Sequence, residues 1–214
     1  MNSFLRNLLI VGAGGFGREV LGYIEDDNPL FNIKGFLDNR LGILDKTPRS
    51  VGIIGDPLNY VPQHNDVFMA AIGDPKQRHK FTSVLRDSHH ADFATVIHPR
   101  ANVSGHAKIM NGCIIAPQVG ISVDTYIGEF SCIQEYTVIG HDAHVGNWCQ
   151  INSHCTIAGG ARIGNFVTIH PNSVITSNAV IGDDVIVGAG SVVIGKIPSG
   201  VTVMGNPARK FSFK

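Results

Sequence analysis

The residues best suited to chemistry in this chain are two neighbours, His141 and Asp142, in the stretch VIGHDAHVG. Histidine is the commonest general base in proteins because an imidazole titrates near neutral pH. A carboxylate beside it can fix the tautomer of the ring and stabilise the imidazolium. The sequence therefore predicts His141 as a general base and Asp142 as its orienting group, with Glu135 as a second candidate for orientation. The alternative is a histidine and an acid on a solvated turn.

A glycine-rich segment near the start is the second motif with chemical meaning. Gly12, Gly14 and Gly17 form the pattern GxGxxG after an apolar run, and Asp38 follows Gly17 by 21 residues. Such a turn lets a phosphate approach the amide groups at a helix start. Three interpretations remain open, namely NAD(P), a nucleotide-linked sugar bound through its diphosphate, and a purely structural turn. The segment is short for a full dinucleotide fold, which favours the nucleotide-linked sugar.

The elements around the glycine motif alternate between strand and helix. Apolar runs predict strands at residues 8–11, 33–38, 51–54 and 67–72, and helical spacing follows the glycines at residues 18–24. A second helix is predicted over residues 75–85, with Asp74 as N-cap and Pro75 at its first position. Alternation of this kind predicts a small α/β, Rossmann-like domain with a parallel sheet.

A different pattern begins at Ile97, after which Val or Ile recurs at every sixth residue as far as Val193. A helix would show a period near 3.6 and a strand a period of 2, so a period of six indicates a repeat architecture with tight corners. The fifth place of each hexad holds a small or β-branched residue, from Ala101 to Ser191. We interpret the aliphatic residue as filling the interior of a parallel β-helix and the small one as fitting a cramped wall. An ice-binding prism is the structural alternative, although regular threonine ladders are missing.

The two patterns predict two domains, residues 1–92 and 93–214. Hydrophobic residues make up 43% of the 214 residues, which is enough for a core, and the formal net charge is zero. A nucleic-acid partner would need a clustered basic face, and a membrane protein would need a long apolar run, so we expect neither partner and a cytoplasmic location. No CxxC pair occurs among the four cysteines, which are interpreted as reduced fillers.

The combination of a glycine-rich head with a hexad prism resembles the hexapeptide-repeat sugar acyltransferases. That family includes sialic acid O-acetyltransferases and N-acetyltransferases of nucleotide-linked 4-amino sugars. The resemblance covers nearly the whole chain, including the closing segment GNPAR at residues 205–209. It implies a left-handed parallel β-helix of roughly five coils, acetyl-CoA as co-substrate, and a homotrimer with active sites between neighbouring prisms. The head would bind the nucleotide-linked amino sugar.

The resemblance also assigns residues to the site. The stretch around His141 matches the catalytic motif of the family, but Gly140 stands where many relatives have a carboxylate. Gln150 stands where some relatives have a second histidine, and Phe16 where relatives often have a histidine. The implied acetyl-CoA contacts are Gln150, Gly159, Pro171, Gly188 and Ala189. The implied contacts with the nucleotide sugar are Gly14, Gly15, Gly17, Asp38 and Gly73.

Four functions compete on this sequence. N-acetylation of the 4-amine of a nucleotide-linked amino-deoxy sugar, in bacterial surface-glycan biosynthesis, is favoured by the intact glycine head. O-acetylation of a sugar such as sialic acid needs the same residues and is the main alternative. A non-catalytic binding scaffold is a further class. A γ-type carbonic anhydrase would need prism histidines about one coil edge apart, and the six histidines there do not fit that spacing, so no metal is expected.

Overall fold

In a computed structural model of the chain, residues 5–27 and 31–211 are described. The chain divides into two compact units, Met1–Ala94 and Thr95–Lys214. Within the described residues, no helix is long and apolar enough to cross a bilayer.

The first unit is a four-stranded parallel sheet with helices. Its elements are β1 (Arg6–Val11), α1 (Gly15–Asp27), β2 (Phe31–Leu37), β3 (Ile53–Gly55), β4 (Asp66–Ala70) and α2 (Pro75–Ser83), which continues as a π-helical turn over Val84–Ser88. The strand order is β3-β2-β1-β4. The apolar run of β1 is fully buried, and the strand is central in the sheet, with β2 on one side and β4 on the other. As predicted, Asp74 caps α2 by accepting a hydrogen bond from the Gln77 N–H.

The order of these strands brings the glycine motif and Asp38 together. The motif follows β1, and Asp38 follows β2, which pairs with β1 in parallel. Gly73 follows β4, which pairs with β1 on the other side. Because the carboxyl ends of parallel strands meet at one edge of a sheet, all three loops lie at that edge, the usual position of ligands in such sheets.

The second unit is a parallel β-helix of two-residue strands followed by a hairpin. The strands are β5 (Val96–Ile97), β6 (Asn102–Val103), β7 (Lys108–Ile109), β8 (Ile114–Ile115), β9 (Gly120–Ile121), β10 (Tyr126–Ile127), β11 (Cys132–Ile133), β12 (Val138–Ile139), β13 (His144–Val145), β14 (Gln150–Ile151), β15 (Thr156–Ile157), β16 (Arg162–Ile163), β17 (Thr168–Ile169), β18 (Val174–Ile175), β19 (Val180–Ile181), β20 (Ile186–Val187), β21 (Val192–Val193), β22 (Lys196–Ile197), β23 (Thr202–Gly205) and β24 (Ala208–Phe211).

Every third strand pairs with its predecessor, which builds three sheets. The first sheet runs from β5 through β20 to the β23–β24 hairpin, the second from β6 to β21, and the third from β7 to β22. Residues 18 apart are partners, as Tyr126 and His144 are, so three hexads make one coil. The predicted fold class is therefore confirmed. The stack is nearer six coils than the predicted five, because β22 extends it beyond the last hexad.

The aliphatic residue of the hexads fills the interior, as predicted, with a departure at the start of the stack. Ile127, Ile139 and Val145 are fully buried. Ile97, the first member of the series, is 43% exposed, because its strand β5 pairs only with β8. A terminal coil is covered on one side alone, as is usual in repeat proteins.

The small residue of the hexads does more than fit a narrow space. Thr125, Ser131 and Thr137 each donate a hydroxyl hydrogen bond, of 2.8–3.0 Å, to the carbonyl 15 residues further along. Cys113 and Cys155 do the same with their thiols, at 3.1 and 3.2 Å. Where the fifth place of the hexad holds Ser, Thr or Cys, its side chain therefore stabilises the junction between coils with a hydrogen bond. The sequence pattern had predicted only that the residue at this place must be small. All four cysteines are buried thiols, and none of them forms a disulfide bond.

Candidate active site

His141 and Asp142 lie in the turn between β12 and β13, where the second sheet meets the third. The imidazole Nδ1 is 2.7 Å from Asp142 Oδ2, and both side chains are 66% exposed. Asp142 has a φ of 57°, the left-handed conformation that recurs at the same place of almost every hexad. Aspartate tolerates this region better than most residues, so it suits the corner. Glu135 lies in a different turn, where it accepts a hydrogen bond from Ser153, so Asp142 is the partner of His141.

The Asp142 contact fixes the orientation of the imidazole. A carboxylate only accepts hydrogen bonds, so Nδ1 carries the hydrogen and Nε2 is left with a lone pair. The Nε2 side of the ring lies over Gly159 in the next coil, since a Cβ built on Gly159 would be 2.7 Å from Nε2. Position 159 therefore accommodates only glycine, because the His141 imidazole occupies the space that a side chain at this position would need. Within residues 5–27 and 31–211, the Gly159 N–H has no hydrogen-bond acceptor.

A groove of about 540 Å³ opens beside His141. It is lined by His141, Asp142, Gly159, Gly160, Arg162, Ser177 and Asn178. Sequence reasoning missed Arg162, Ser177 and Asn178, although the signal was present. Positions 141, 159 and 177 are one coil of 18 residues apart, so stacking coils brings their side chains to one corner. We call this set the His141 corner.

Three of the predicted acetyl-CoA contacts gather at another corner. Pro171, Gly188 and Ala189 lie in turns between the first and second sheets, and the Gly190 N–H donates to the Pro171 carbonyl. We call this set the Pro171 corner. Gly159 alone lies with His141. Within one chain, the predicted contacts are therefore split between two corners of the prism.

Gln150 belongs to neither corner. It lies on β14 in the first sheet, is 4% exposed, and its side-chain amide nitrogen is 3.3 Å from Asn152 Oδ1. His144, on β13, stacks on the ring of Tyr126 with centroids 4.7 Å apart.

A second cavity, of about 300 Å³, lies in the first unit at the glycine motif. It is lined by Gly12, Leu37, Asp38, Asn39, Arg40, Pro57, Ile72, Gln77 and Phe81. Gly17 has a packing role, because a Cβ there would collide with the Gly12 carbonyl oxygen. Gly15 and Gly73 face open space, where a Cβ would meet nothing within 4 Å. Gly14 faces the Arg40 guanidinium, 3.7 Å from the position of its would-be Cβ.

The carboxylate of Asp38 is already bonded by the protein. One oxygen accepts from the Ala13 N–H at 2.8 Å and from Arg40 Nη2 at 2.7 Å. The other accepts from the Arg40 N–H and from Arg40 Nε, each at 2.9 Å. Burial by itself raises the pKa of Asp38, but the hydrogen bonds from Arg40 and Ala13 outweigh it, so that pKa lies below its usual value. Asp38 is therefore an ionised group that binds Arg40 to the glycine turn.

Arg78, on α2, is a charged residue in the interior of the first unit. Its side chain is fully buried, and Nη1 donates to the Ile72 carbonyl at 2.5 Å. The contact holds α2 against the loop that carries Ile72, one of the residues lining the cavity.

Among residues 5–27 and 31–211, no group of three or more His, Cys, Asp or Glu side chains is arranged to hold a metal ion.

Comparison with known proteins identifies both units. The family of the PglD N-terminal domain matches residues 7–85. The family of bacterial transferase hexapeptide repeats matches residues 124–159 and 160–195. A comparison with curated protein sequences finds no significant match.

Solved structures resemble the chain along nearly its whole length. A mutant of perosamine N-acetyltransferase from Caulobacter crescentus, in complex with CoA and GDP-perosamine, is 26% identical, with a TM-score of 0.82. The match covers 98% of this chain and 99% of that one. The acetyltransferase domain of PglB from Neisseria gonorrhoeae is 24% identical, with a TM-score of 0.83 over 96% of this chain and 100% of that one. WeeI from Acinetobacter baumannii is 24% identical, with a TM-score of 0.78 over 95% and 99% of the two chains.

The two family matches therefore fall on the glycine-rich head and on the hexad prism, in the order that the sequence patterns predicted. The chain belongs to the hexapeptide-repeat sugar acyltransferases.

Proposed function

We propose that this protein transfers the acetyl group of acetyl-CoA to the 4-amine of a nucleotide-linked amino-deoxy sugar, with His141 as general base. The observation that carries the proposal is the oriented imidazole, whose Nδ1 is bonded to Asp142 and whose Nε2 lies at the groove over Gly159. The similar perosamine N-acetyltransferase was solved with CoA and with a nucleotide-linked amino sugar, which supports this class of substrate.

The reaction follows from the state of the imidazole. The amine nitrogen attacks the thioester carbonyl carbon, and His141 Nε2 takes a proton from that nitrogen. Asp142 stabilises the resulting imidazolium through Nδ1–H. The tetrahedral intermediate then collapses, the carbon–sulfur bond breaks, and the imidazolium returns its proton to the leaving sulfur. The products are the acetamido sugar and CoA.

Gly159 has the features of an oxyanion donor. Its N–H lies beside the imidazole and has no acceptor among the described residues. A backbone N–H directed at the place where negative charge develops is a common way to stabilise such an intermediate. We assign this N–H to the thioester oxygen.

The remaining acetyl-CoA contacts are assigned across a subunit boundary. Gln150, Pro171, Gly188 and Ala189 lie away from the His141 corner of the same chain. A homotrimer in which the Pro171 corner of one prism faces the His141 corner of its neighbour would unite the two sets. Exposed aliphatic side chains on the second sheet and its turns, including Val138 at 53% and Ile194 at 62%, are consistent with a buried face in such an assembly.

The first unit is assigned to the nucleotide sugar. The cavity at the glycine motif combines apolar side chains, suited to a nucleobase, with Gly12, the first glycine of the motif. Gly14, Gly15 and Gly17 follow Gly12 in the same turn. Asp38 and Gly73 lie at the same edge of the sheet, which is where ligands bind to parallel sheets.

The experiment is an acceptor panel with release of CoA as the readout. GDP-, UDP- and dTDP-linked 4-amino sugars are compared with the matching 4-hydroxy sugars and with free sialic acid. We expect turnover with at least one amino sugar and little with its hydroxy counterpart. Turnover with hydroxy sugars or sialic acid alone would establish O-acetylation instead, and no turnover with any acceptor would support a binding scaffold.

A further inference from the structure

The acceptor capacity of Asp38 is full, which restricts what this residue can do for a ligand. Two carboxylate oxygens offer about four acceptor sites. Asp38 receives four hydrogen bonds, three from Arg40 and one from Ala13. A ribose hydroxyl or a nucleobase could bond to Asp38 only by displacing one of these donors. In the observed arrangement, the group that Asp38 offers to a ligand is therefore the guanidinium that it holds.

Arg40 is held so that part of its donor capacity faces the cavity. Its Nε and Nη2 form a bidentate fork on Asp38, and such a pair fixes the guanidinium plane. Nη1 has no partner among the described residues, and the side chain is 61% exposed although Asp38 is 4% exposed. The guanidinium thus presents an ordered and unsatisfied edge at the cavity.

The position of Arg40 indicates which part of a nucleotide it would meet. Its Nη2 lies at the glycine turn, 3.7 Å from the place where a Cβ on Gly14 would stand, while Leu37, Ile72 and Phe81 give the same cavity apolar walls. Arg40 is also the only basic residue among those lining the cavity. A nucleobase suits the apolar part, whereas a phosphate suits a guanidinium edge at the turn.

We propose that Arg40 binds a phosphate of the nucleoside diphosphate and that Asp38 is its positioning residue. This inference rests on the proposed function, since it concerns the substrate cavity of the same reaction. It adds a binding residue that the glycine motif does not contain, and it changes the role of Asp38 from a nucleoside contact to the support of Arg40.

The test measures binding of GDP, UDP and CoA to the full chain by calorimetry. Arg40→Gln is expected to raise the Kd for both GDP and UDP by about 10- to 100-fold, since a charge-assisted hydrogen bond is lost. The Kd for CoA should not change. Arg49→Gln is the matched control, because Arg49 is exposed and its side chain bonds only the neighbouring Pro48 carbonyl. Arg40→Lys should recover part of the affinity, because it keeps the charge but not the fork.

A double-mutant cycle separates the two roles. Asp38→Asn should weaken GDP binding in the wild-type background and have little further effect in the Arg40→Gln background, because Asp38 acts through Arg40. In turnover, Arg40→Gln should raise the KM for the nucleotide sugar far more than it lowers kcat. Melting temperatures of all variants show whether folding is retained.

Each contrary outcome overturns the inference. An unchanged Kd for GDP and UDP in Arg40→Gln excludes Arg40 from the site. A loss for GDP but not UDP would show that Arg40 binds the base rather than a phosphate. Additive effects of the two substitutions would show that Asp38 contacts the nucleotide by itself. If the wild-type protein binds neither nucleotide, the proposed function fails as well, whereas wild-type turnover with an unaffected Arg40→Gln variant overturns the Arg40 inference alone.

Discussion

Mixed trimers of two inactive variants test whether the active site is shared between subunits. His141→Ala removes the proposed base from the His141 corner. Ala189→Glu places a carboxylate on the Pro171 corner, where Ala189 is exposed, and should repel the phosphates of acetyl-CoA. If each site combines the His141 corner of one chain with the Pro171 corner of the next, the two defects are complementary.

The expected magnitude follows from the geometry of a cyclic trimer. A trimer that contains both variants has one interface at which an intact His141 corner meets an intact Pro171 corner. Mixed trimers should therefore show about one third of wild-type activity per trimer. His141→Ala by itself should show a small fraction of it, because removing a general base costs about 10²- to 10⁴-fold. Ala189→Glu by itself should also show a small fraction, because the added carboxylate repels acetyl-CoA at every site.

The assay uses two affinity tags and successive purification, so that only mixed trimers are measured, with CoA release as readout. A pair with both defects at one corner, His141→Ala with Gly159→Val, is the control, because no interface is then intact. Activity of the first pair no higher than that of the control would refute the shared site. A monomer in light scattering at micromolar concentration would refute the trimer itself.

Four further predictions concern single residues. His141→Ala should lose about 10²- to 10⁴-fold in kcat with the fold intact. The control His106→Ala, at an exposed histidine of the prism, should behave as wild type. Near-normal turnover of His141→Ala would exclude His141 as the base. Asp142→Asn should lower kcat by a smaller factor and leave the KM for acetyl-CoA unchanged, whereas a raised KM with normal kcat would place Asp142 on the co-substrate. Ser131→Ala should lower the free energy of unfolding by about 1–3 kcal/mol. The reason is that the Ser131 hydroxyl donates to the Gly146 carbonyl and accepts from the Cys149 N–H. An unchanged thermal midpoint would contradict this. Burial raises the pKa of the Cys155 thiol to about 11. At pH 8 this thiol should therefore stay protonated and resist iodoacetamide until the protein is denatured. Rapid alkylation of Cys155 in the native protein, located by mass spectrometry, would contradict this prediction.

The repeat fold could be predicted from the sequence because its information is local. An aliphatic residue at every sixth position can be buried only if the chain turns after each short strand, so the period specifies the coil. The same reasoning holds for Asp74 and α2, where cap and helix are neighbours in the chain. His141 and Asp142 are adjacent, so their contact too was accessible from the sequence.

The sequence by itself thus determined the two units, the interior of the prism and the proposed base with its partner. Tertiary structure decided which side chains meet across coils and loops, because these contacts depend on side-chain direction and on residues distant in the chain. The coil of 18 residues places Gly159 beneath the His141 imidazole and separates it from Pro171 at another corner. The parallel sheet brings Ala13 against Asp38, and the turn after β2 folds Arg40 back onto the same carboxylate, which leaves Asp38 no free acceptor. A periodic pattern predicts which positions face inward, but it does not predict which groups donate hydrogen bonds to a carboxylate such as that of Asp38.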